Sequence, residues 1–294
     1  MQIAAHILAY NVNNTLKLVV ENISPHVNKI FIAYPFRPFA YNLIQRETKL
    51  NPTSLKDVIS VTDGCNIEIL EGDWKYEEDM RNACFEAAKK QGFDWFLTQD
   101  ADEFYDEKGW ELILKELKKS INDDFYQTTW FNFWKSSEYV VLENGNIKSK
   151  NANFALRCKK NIKFIRKRLA NIETAKVIDS ECYHYGYVHT NEQMKNKIET
   201  WSHTNDFNKY NWITNKWLNW QENTLNLNPT NPTMWKRAIK FPYKQPPFSN
   251  NFRNKIVFNK VSFDEKFSNY KYDCKYTIKE YLRNIKKSIN VKLK

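Results

Sequence analysis

The residues best able to do chemistry crowd into one stretch, "DWFLTQDADEFYDEKGW" at 94–110, where an apolar run meets Asp100, Asp102, Glu103 and Asp106. An Asp-x-Asp pair at the end of an extended segment puts two carboxylates on one side, because alternate side chains share a face. Such oxygens suit a hard divalent cation, Mn²⁺ or Mg²⁺, that keeps open positions for a substrate. A cation held there would neutralise a diphosphate leaving group, the Lewis-acid help that splits nucleotide–sugar bonds. The plain alternative is a strand running into a solvated acidic turn or a helix N-cap. The pair alone does not choose.

Two of the five histidines, His184 and His189, lie in "CYHYGYVHTNEQMKNK". A His in an aromatic strand is commonly a hydrogen-bonded core residue; as a ligand its nitrogen suits Mn²⁺ better than Mg²⁺. Trp130, Phe133, Trp134 and Tyr139 follow the acidic stretch. They read either as sheet core or as a platform on which an acceptor sugar stacks, with Trp134 and Lys135, nearest a loop, as the acceptor contacts. An inverting transfer needs a carboxylate base, and Glu138, Asp179 and Glu181 each qualify by type. Arg157 with Lys159 and Lys160 reads as a solvated charge run or as a diphosphate clamp.

The elements that position these groups follow from periodicity. Residues 2–10 read as a strand, 15–23 as a helix with Leu16, Val19, Val20 and Ile23 on one face, and "VNKIFIAY" as a second strand. Pro35 and Pro38 open a loop. "NIEILEGDW" is a third strand, "KYEEDMRNACFEAAKKQG" a helix ending at Gly92, "DWFLTQD" a fourth strand and "GWELILKELKKSI" a further helix. The order β-α-β-β-α-β-α implies a mostly parallel sheet covered on both faces, with ligands outside the carboxyl ends of its strands. Tyr10-Asn11, Asp73-Trp74 and Asp100-Ala101-Asp102 fall at those ends. "FYQTTWFNFW", "EYVVL" and "FALRC" read as later strands with a turn at "ENGN", and 192–220 as helical with Met194, Ile198 and Trp201 on one face.

At 294 residues and 42% hydrophobic, the chain can bury a core without disulfides. Five scattered cysteines with no CxxC pair fit reduced thiols. "MQIAAHILAY" lacks the basic start and cleavage site of a signal peptide. No apolar run approaches the roughly 20 residues of a membrane span, so a cytoplasmic protein, at most peripheral to a membrane, is expected. The net charge of +11 is uneven: from Trp235 to Lys294 sixteen Lys or Arg face four acids, while the rest is near neutral.

The "AYN" that closes the first strand, "MRNACFEAAKKQGFDWFLTQDADEFY" and "YHYGYVHTNEQMKNK" together resemble the GT-A glycosyltransferases, most closely family 2-like enzymes, over roughly residues 2–200. The resemblance implies an α/β fold, a GT-A (Rossmann-like) mostly parallel sheet with helices on both faces. It implies a nucleotide-sugar donor contacted by Ala9, Tyr10, Asn11, Arg81, Asn82, Asp100 and Ala101, with Asp100 at the ribose or sugar. Asp102 would meet the metal, and His184, with His189 as second choice, would complete its sphere. The chain departs from the family after the second strand, where "AYPFRPFA" replaces an acidic turn; Asp73 is then the substitute nucleotide contact. The acceptor would be a glycan, a lipid-linked saccharide or another hydroxyl.

These readings divide the chain into a catalytic domain at 1–225 and a basic extension at 226–294. The extension holds Pro/Asn-rich connections and a terminal helix carrying Ile278, Leu282, Ile285 and Ile289 between lysines. That helix has the pattern of a segment lying on an anionic membrane surface, or it simply packs on the body. A rival reading is nucleic-acid binding, or sugar transfer to DNA, through the basic tail and Trp235, Phe241, Tyr243, Phe248 and Phe252. A third is nucleotidyl transfer, against which "AYNVNNTLK" lacks a Gly- and Lys/Arg-rich loop.

Overall fold

Strand β1, Ile3–Leu8, is buried almost throughout, the run of apolar residues expected of a strand covered on both faces. The computed structural model describes residues 1–12, 15–39, 43–149, 152–200, 203, 205–275 and 278. Helix α1, Leu16–Ile23, buries the four apolar residues that its spacing predicts. Strand β2 is Lys29–Pro35 and is followed by α2, Leu43–Thr48, and α3, Leu55–Val61. The sequence predicts a loop and no helix between β2 and the next strand, β3, Ile67–Gly72. These two strands pair in parallel, and a parallel pair needs a crossover of a dozen or more residues. Helix α3 is only seven residues long, too short for its Leu55, Val58 and Ile59 to stand out, and of these only Val58 is buried.

Helix α4, Glu77–Lys90, carries three acids in its first turn and two lysines in its last, in the sense its dipole favours. It leads into β4, Trp95–Thr98. In the order β3-β2-β1-β4 these strands form the parallel half of a ten-stranded sheet. Next come β5, Glu103–Phe104, α5, Glu107–Lys119, β6, Phe125–Trp134, β7, Ser136–Glu143, and β8, Ala152–Arg157. The two-stranded ribbon β9, Phe164–Arg166, and β10, Leu169–Ala170, precedes β11, Lys176–Tyr187. Strand β8 pairs antiparallel with both β4 and β6, while β11 runs parallel to β6 and antiparallel to β5.

Helices cover both faces. Leu16, Val20 and Trp110 share one core with Ile3, Ala5 and Ile7 of β1, while Met80, Cys84 and Phe85 of α4 share another with Ala4 and Phe96. The alternation of β1 therefore feeds two cores. A third core gathers Trp134, Tyr187, Trp212, Trp217 and Trp235 below α6, Asn191–Thr200. The helix expected over 192–220 is interrupted: α7, Lys209–Trp212, starts afresh and runs into a π-helical turn, Ile213–Leu218.

Beyond the boundary expected at 225/226, β12, Trp235–Lys240, adds antiparallel to β7 at the edge of the same sheet. Residues 263–275 are helical. That helix is tied to the body by the buried ammonium of Lys216, which donates to Asn269 Oδ1 at 2.5 Å and Asp273 Oδ1 at 2.6 Å. Leu282, Ile285 and Ile289 lie outside the described residues, as does Trp201. All five cysteines are free. Among the described residues no helix is long and apolar enough to cross a membrane.

Candidate active site

The carboxyl ends of β1 and β4 hold most of the residues singled out by type. After β1 the chain turns through Asn11, whose φ of 56° lies in the left-handed region that Asn tolerates better than most residues. Asn51 fixes this turn: its amide donates to the carbonyls of Ala9 at 2.7 Å and Pro35 at 2.9 Å, and its Oδ1 accepts from the Asn11 N–H at 3.2 Å. The Tyr10 hydroxyl is buried and finds no partner among the described residues. Asp73, half exposed after β3, pairs with Arg46 at 2.9 Å.

The acidic stretch splits into three jobs. Asp106 is a helix cap, accepting from the Gly109 N–H at 2.7 Å at the start of α5. Glu103 is a buried counter-ion: Arg168 forks onto its two oxygens at 2.8 and 2.7 Å. Burial pushes the Glu103 carboxyl up, and the neighbouring Asp100 and Asp102 add to this against the pull of Arg168. Asp100 receives Arg81 at 3.0 Å and Arg168 at 3.5 Å. Burial raises its pKa, but the two guanidinium groups win and hold it well below the usual carboxylate range. Arg81 is itself fully buried, bonded also to Glu77 at 2.7 Å and to His6 Nδ1 at 3.3 Å. Two arginines therefore fix Asp100 while leaving about 34% of its side chain exposed.

Asp102 faces β11. His184 Nε2 lies 3.7 Å from its Oδ1, and Lys197 Nζ of α6 lies 3.2 Å from its Oδ2. The His184 tautomer follows from its neighbours. Ser149 Oγ donates to the Trp130 carbonyl, Asn132 Nδ2 donates to Ser149 Oγ at 3.0 Å, and Asn132 Oδ1 is thus left to accept from His184 Nδ1 at 2.6 Å. The proton sits on Nδ1 and the Nε2 lone pair faces Asp102, the arrangement that suits a metal-bound imidazole. Burial lowers the His184 pKa to about 4, so the ring is neutral at pH 7. Trp130 packs against it at a tilt, ring centroids 4.4 Å apart.

Gly186 keeps this space open. A Cβ there would lie 2.5 Å from His184 Nε2 and 3.2 Å from Asp102 Oδ2. Its carbonyl takes Lys197 Nζ at 2.7 Å, and His189 Nε2 lies 3.5 Å from the same ammonium. Asp102, Glu103 and His184 are the group of potential metal ligands among the described residues. With both Glu103 oxygens occupied by Arg168, Asp102 and His184 are the two that fit an ion, and the glycine cradle fits it too. Gly186→Ala is expected to weaken Mn²⁺ binding by about 10–100-fold while leaving the fold intact. Mn²⁺ titration followed by electron paramagnetic resonance checks this; unchanged affinity would mean that the cradle does not matter.

The remaining sequence-predicted residues lie elsewhere. Asn82, one position from Arg81 and so on a different side of α4, spends its amide on the backbone of Phe164, at 2.8 and 2.9 Å. Ala101 is buried between the two aspartates. Trp134 is not an acceptor platform: it is fully buried among Tyr187, Trp212, Trp217 and Trp235, where nothing from solvent reaches it. Lys135, with φ 60°, lies over the Trp217 ring at 4.4 Å, and burial pulls its ammonium down to about 8. Glu138 pairs with Arg253 at 3.3 Å. Glu181, bonded to Lys148, alternates with His184 on β11 and so faces the other side of the sheet. Asp179 is exposed five residues before His184, about 16 Å along an extended strand. Arg157 lies over Trp95 at 4.2 Å and Lys159 pairs with Asp124 at 2.7 Å, so neither acts as a diphosphate clamp.

Burial also lowers the pKa of His189 to about 3 and that of His6 well below 6.5. At His184 and His189 an unfolded chain takes up protons near pH 6.5, whereas the folded chain refuses them until about pH 4 or lower. Their stabilising contribution is therefore complete above pH 6.5 and is lost as pH falls toward 4, on the order of 3 kcal/mol for His184 alone. Urea unfolding in chelator at pH 7.5, 6 and 5 should show this loss; a flat profile would exclude it.

No family model matches the chain, and no curated protein matches it. Solved structures similar to it include residues 1–349 of TarS from S. aureus, at 12% identity over 74% of this chain and 71% of that one, with a TM-score of 0.40. A 4-diphosphocytidyl-2C-methyl-D-erythritol synthase from Anaerococcus prevotii matches at 16% over 66% and 94%, TM-score 0.38. HddC from Yersinia pseudotuberculosis matches at 10% over 63% and 94%, TM-score 0.38.

Proposed function

We propose that the chain is a metal-dependent glycosyltransferase that moves a sugar from a nucleotide-diphosphate donor to an acceptor hydroxyl, with Mn²⁺ or Mg²⁺ held by Asp102 and His184. The observation that carries this reading is the gap between Asp102 Oδ1 and His184 Nε2, 3.7 Å wide, with the lone pair turned inward and Gly186 keeping it clear. When bound, the ion supplies charge neutralisation for the departing diphosphate.

The chain's own residues supply the rest. Asn132 orients His184, and Lys197 keeps a positive charge beside Asp102 where a phosphate oxygen would pass. Arg81 and Arg168 hold Asp100 ionised with a free edge for a ribose or sugar hydroxyl. The turn at Ala9, Tyr10 and Asn11, fixed by Asn51, receives the base. In the transfer the anomeric carbon–phosphate oxygen bond breaks with its electron pair going to the departing nucleoside diphosphate, the acceptor oxygen bonds to the anomeric carbon, and the acceptor's proton passes to the diphosphate or to solvent. The acceptor hydroxyl belongs to a glycan, a lipid-linked saccharide or another molecule.

A thermal-shift screen of nucleoside diphosphates and nucleotide sugars, each with and without Mn²⁺, tests the reading. One nucleotide should raise Tm only when Mn²⁺ is present, by the few degrees that about 2–3 kcal/mol of ligand stabilisation gives a chain of this size. No shift from any of them in a folded sample would remove the donor site.

A further inference from the structure

Between Glu222 and Asp264 the chain has no carboxylate over forty-one residues, yet it has seven lysines and arginines. The fold gathers three of them, Lys240, Lys244 and Arg253, around one cleft of about 740 Å³ that Tyr243 and Gln245 also line. Glu138 is the carboxylate in its wall, and Arg253 takes it at 3.3 Å. Lys240 and Lys244 are exposed and have no ion pair among the described residues. The cleft therefore carries an uncompensated positive charge.

It is a different place from the Asp102–His184 site. On β6, Trp130 and Asn132 hold His184 on one face. Phe131 and Phe133, which alternate with them, meet Phe241 at 5.2 and 5.0 Å on the other, and Phe131 meets Tyr243 at 5.9 Å. Of the aromatics that the sequence offered for base stacking, Trp235 and Phe252 are buried and Phe248 stacks on Phe104 at 5.3 Å. Tyr243, 55% exposed although it packs on Phe131 and Phe241, still presents part of its ring beside the lysines.

We propose that this cleft binds a phosphodiester-linked chain, its lysines against successive phosphates and Tyr243 against a sugar or base. A concave wall with separated cations matches a flexible polyanion better than the flat face of a bilayer. The phosphates could belong to a single-stranded nucleic acid or to a base-free phosphate polymer.

The test is fluorescence anisotropy of the full chain with a labelled oligothymidylate over a salt series, with inorganic polyphosphate as competitor. Wild type should bind with a log–log salt slope of about −2, as three cations on a single strand would give. The double variant K240Q/K244Q should lose at least about tenfold in affinity and flatten that slope by about 1.4. E138Q should bind more tightly. Polyphosphate that displaces the oligonucleotide shows that phosphates alone suffice; displacement by unlabelled oligothymidylate alone assigns the chain to nucleic acid, with Tyr243 against its base. A double variant that binds like wild type would also overturn it, as would variant-sensitive binding to phosphatidylglycerol vesicles without oligonucleotide binding. The measurement uses no nucleotide donor and no divalent ion, so its outcome does not depend on the proposed transfer.

Discussion

Arg168→Met is expected to lower the free energy of unfolding by about 3–5 kcal/mol, the cost of leaving one partner of a buried ion pair behind. Arg168 closes both oxygens of Glu103, which is 1% exposed, and also reaches Asp100 at 3.5 Å and the Thr98 carbonyl at 3.3 Å. Without it, Glu103 sits charged in the core or takes a proton at a cost. The double variant Arg168→Met with Glu103→Leu removes both charges and should recover most of the loss, since an apolar pair of similar volume is commonly no worse than a buried ion pair. Urea unfolding of the four proteins in the cycle separates the pair's coupling from packing. A single variant less than about 1 kcal/mol below wild type would mean that water already reaches Glu103.

Arg168 also shows where reading the sequence stops. It sits in "RKR" between two strands of three and two residues, too short for any periodicity, and such a run looks like solvated charge. Only the folding of the β9–β10 ribbon against α4 brings it to Asp100 and Glu103. Asp100 and Asp102, by contrast, lie two apart in the chain at a strand end, so local spacing is enough to single them out. Arg81 and Asn82 are neighbours in the sequence, but neighbours on a helix face different ways, and Arg81 reaches Asp100 while Asn82 bonds the backbone of Phe164. The parallel strands of the first half were legible from their apolar runs. The α2–α3 crossover was not, because it buries a single valine. Trp134 looked like a loop-side platform until β12 and the π-helical turn covered it. Lys197 stood in the quoted "NEQMKNK" without a role, because its partner Asp102 is ninety-five residues away.

The largest effect on turnover is expected from Asp102→Asn, which keeps the shape and removes the charge. Lys197 Nζ still has Gly186 O at 2.7 Å, and an amide oxygen can accept in place of Oδ2, so the local hydrogen bonds survive. Burial already works against the Asp102 carboxylate, and it is the Lys197 ammonium, then His184, that holds its pKa down. Because Lys197 is partly exposed and keeps the Gly186 carbonyl, removing the charge should still cost little stability, and Tm should stay within about 2 °C. Metal-dependent turnover should instead fall by about 10²–10³-fold, the size seen when one group that stabilises developing charge is removed. Mn²⁺ binding should fall with it. If turnover drops while Mn²⁺ affinity is kept, Asp102 acts on the donor and the ion sits elsewhere. Turnover within threefold of wild type in a folded Asp102→Asn variant would take the metal site away from Asp102 altogether.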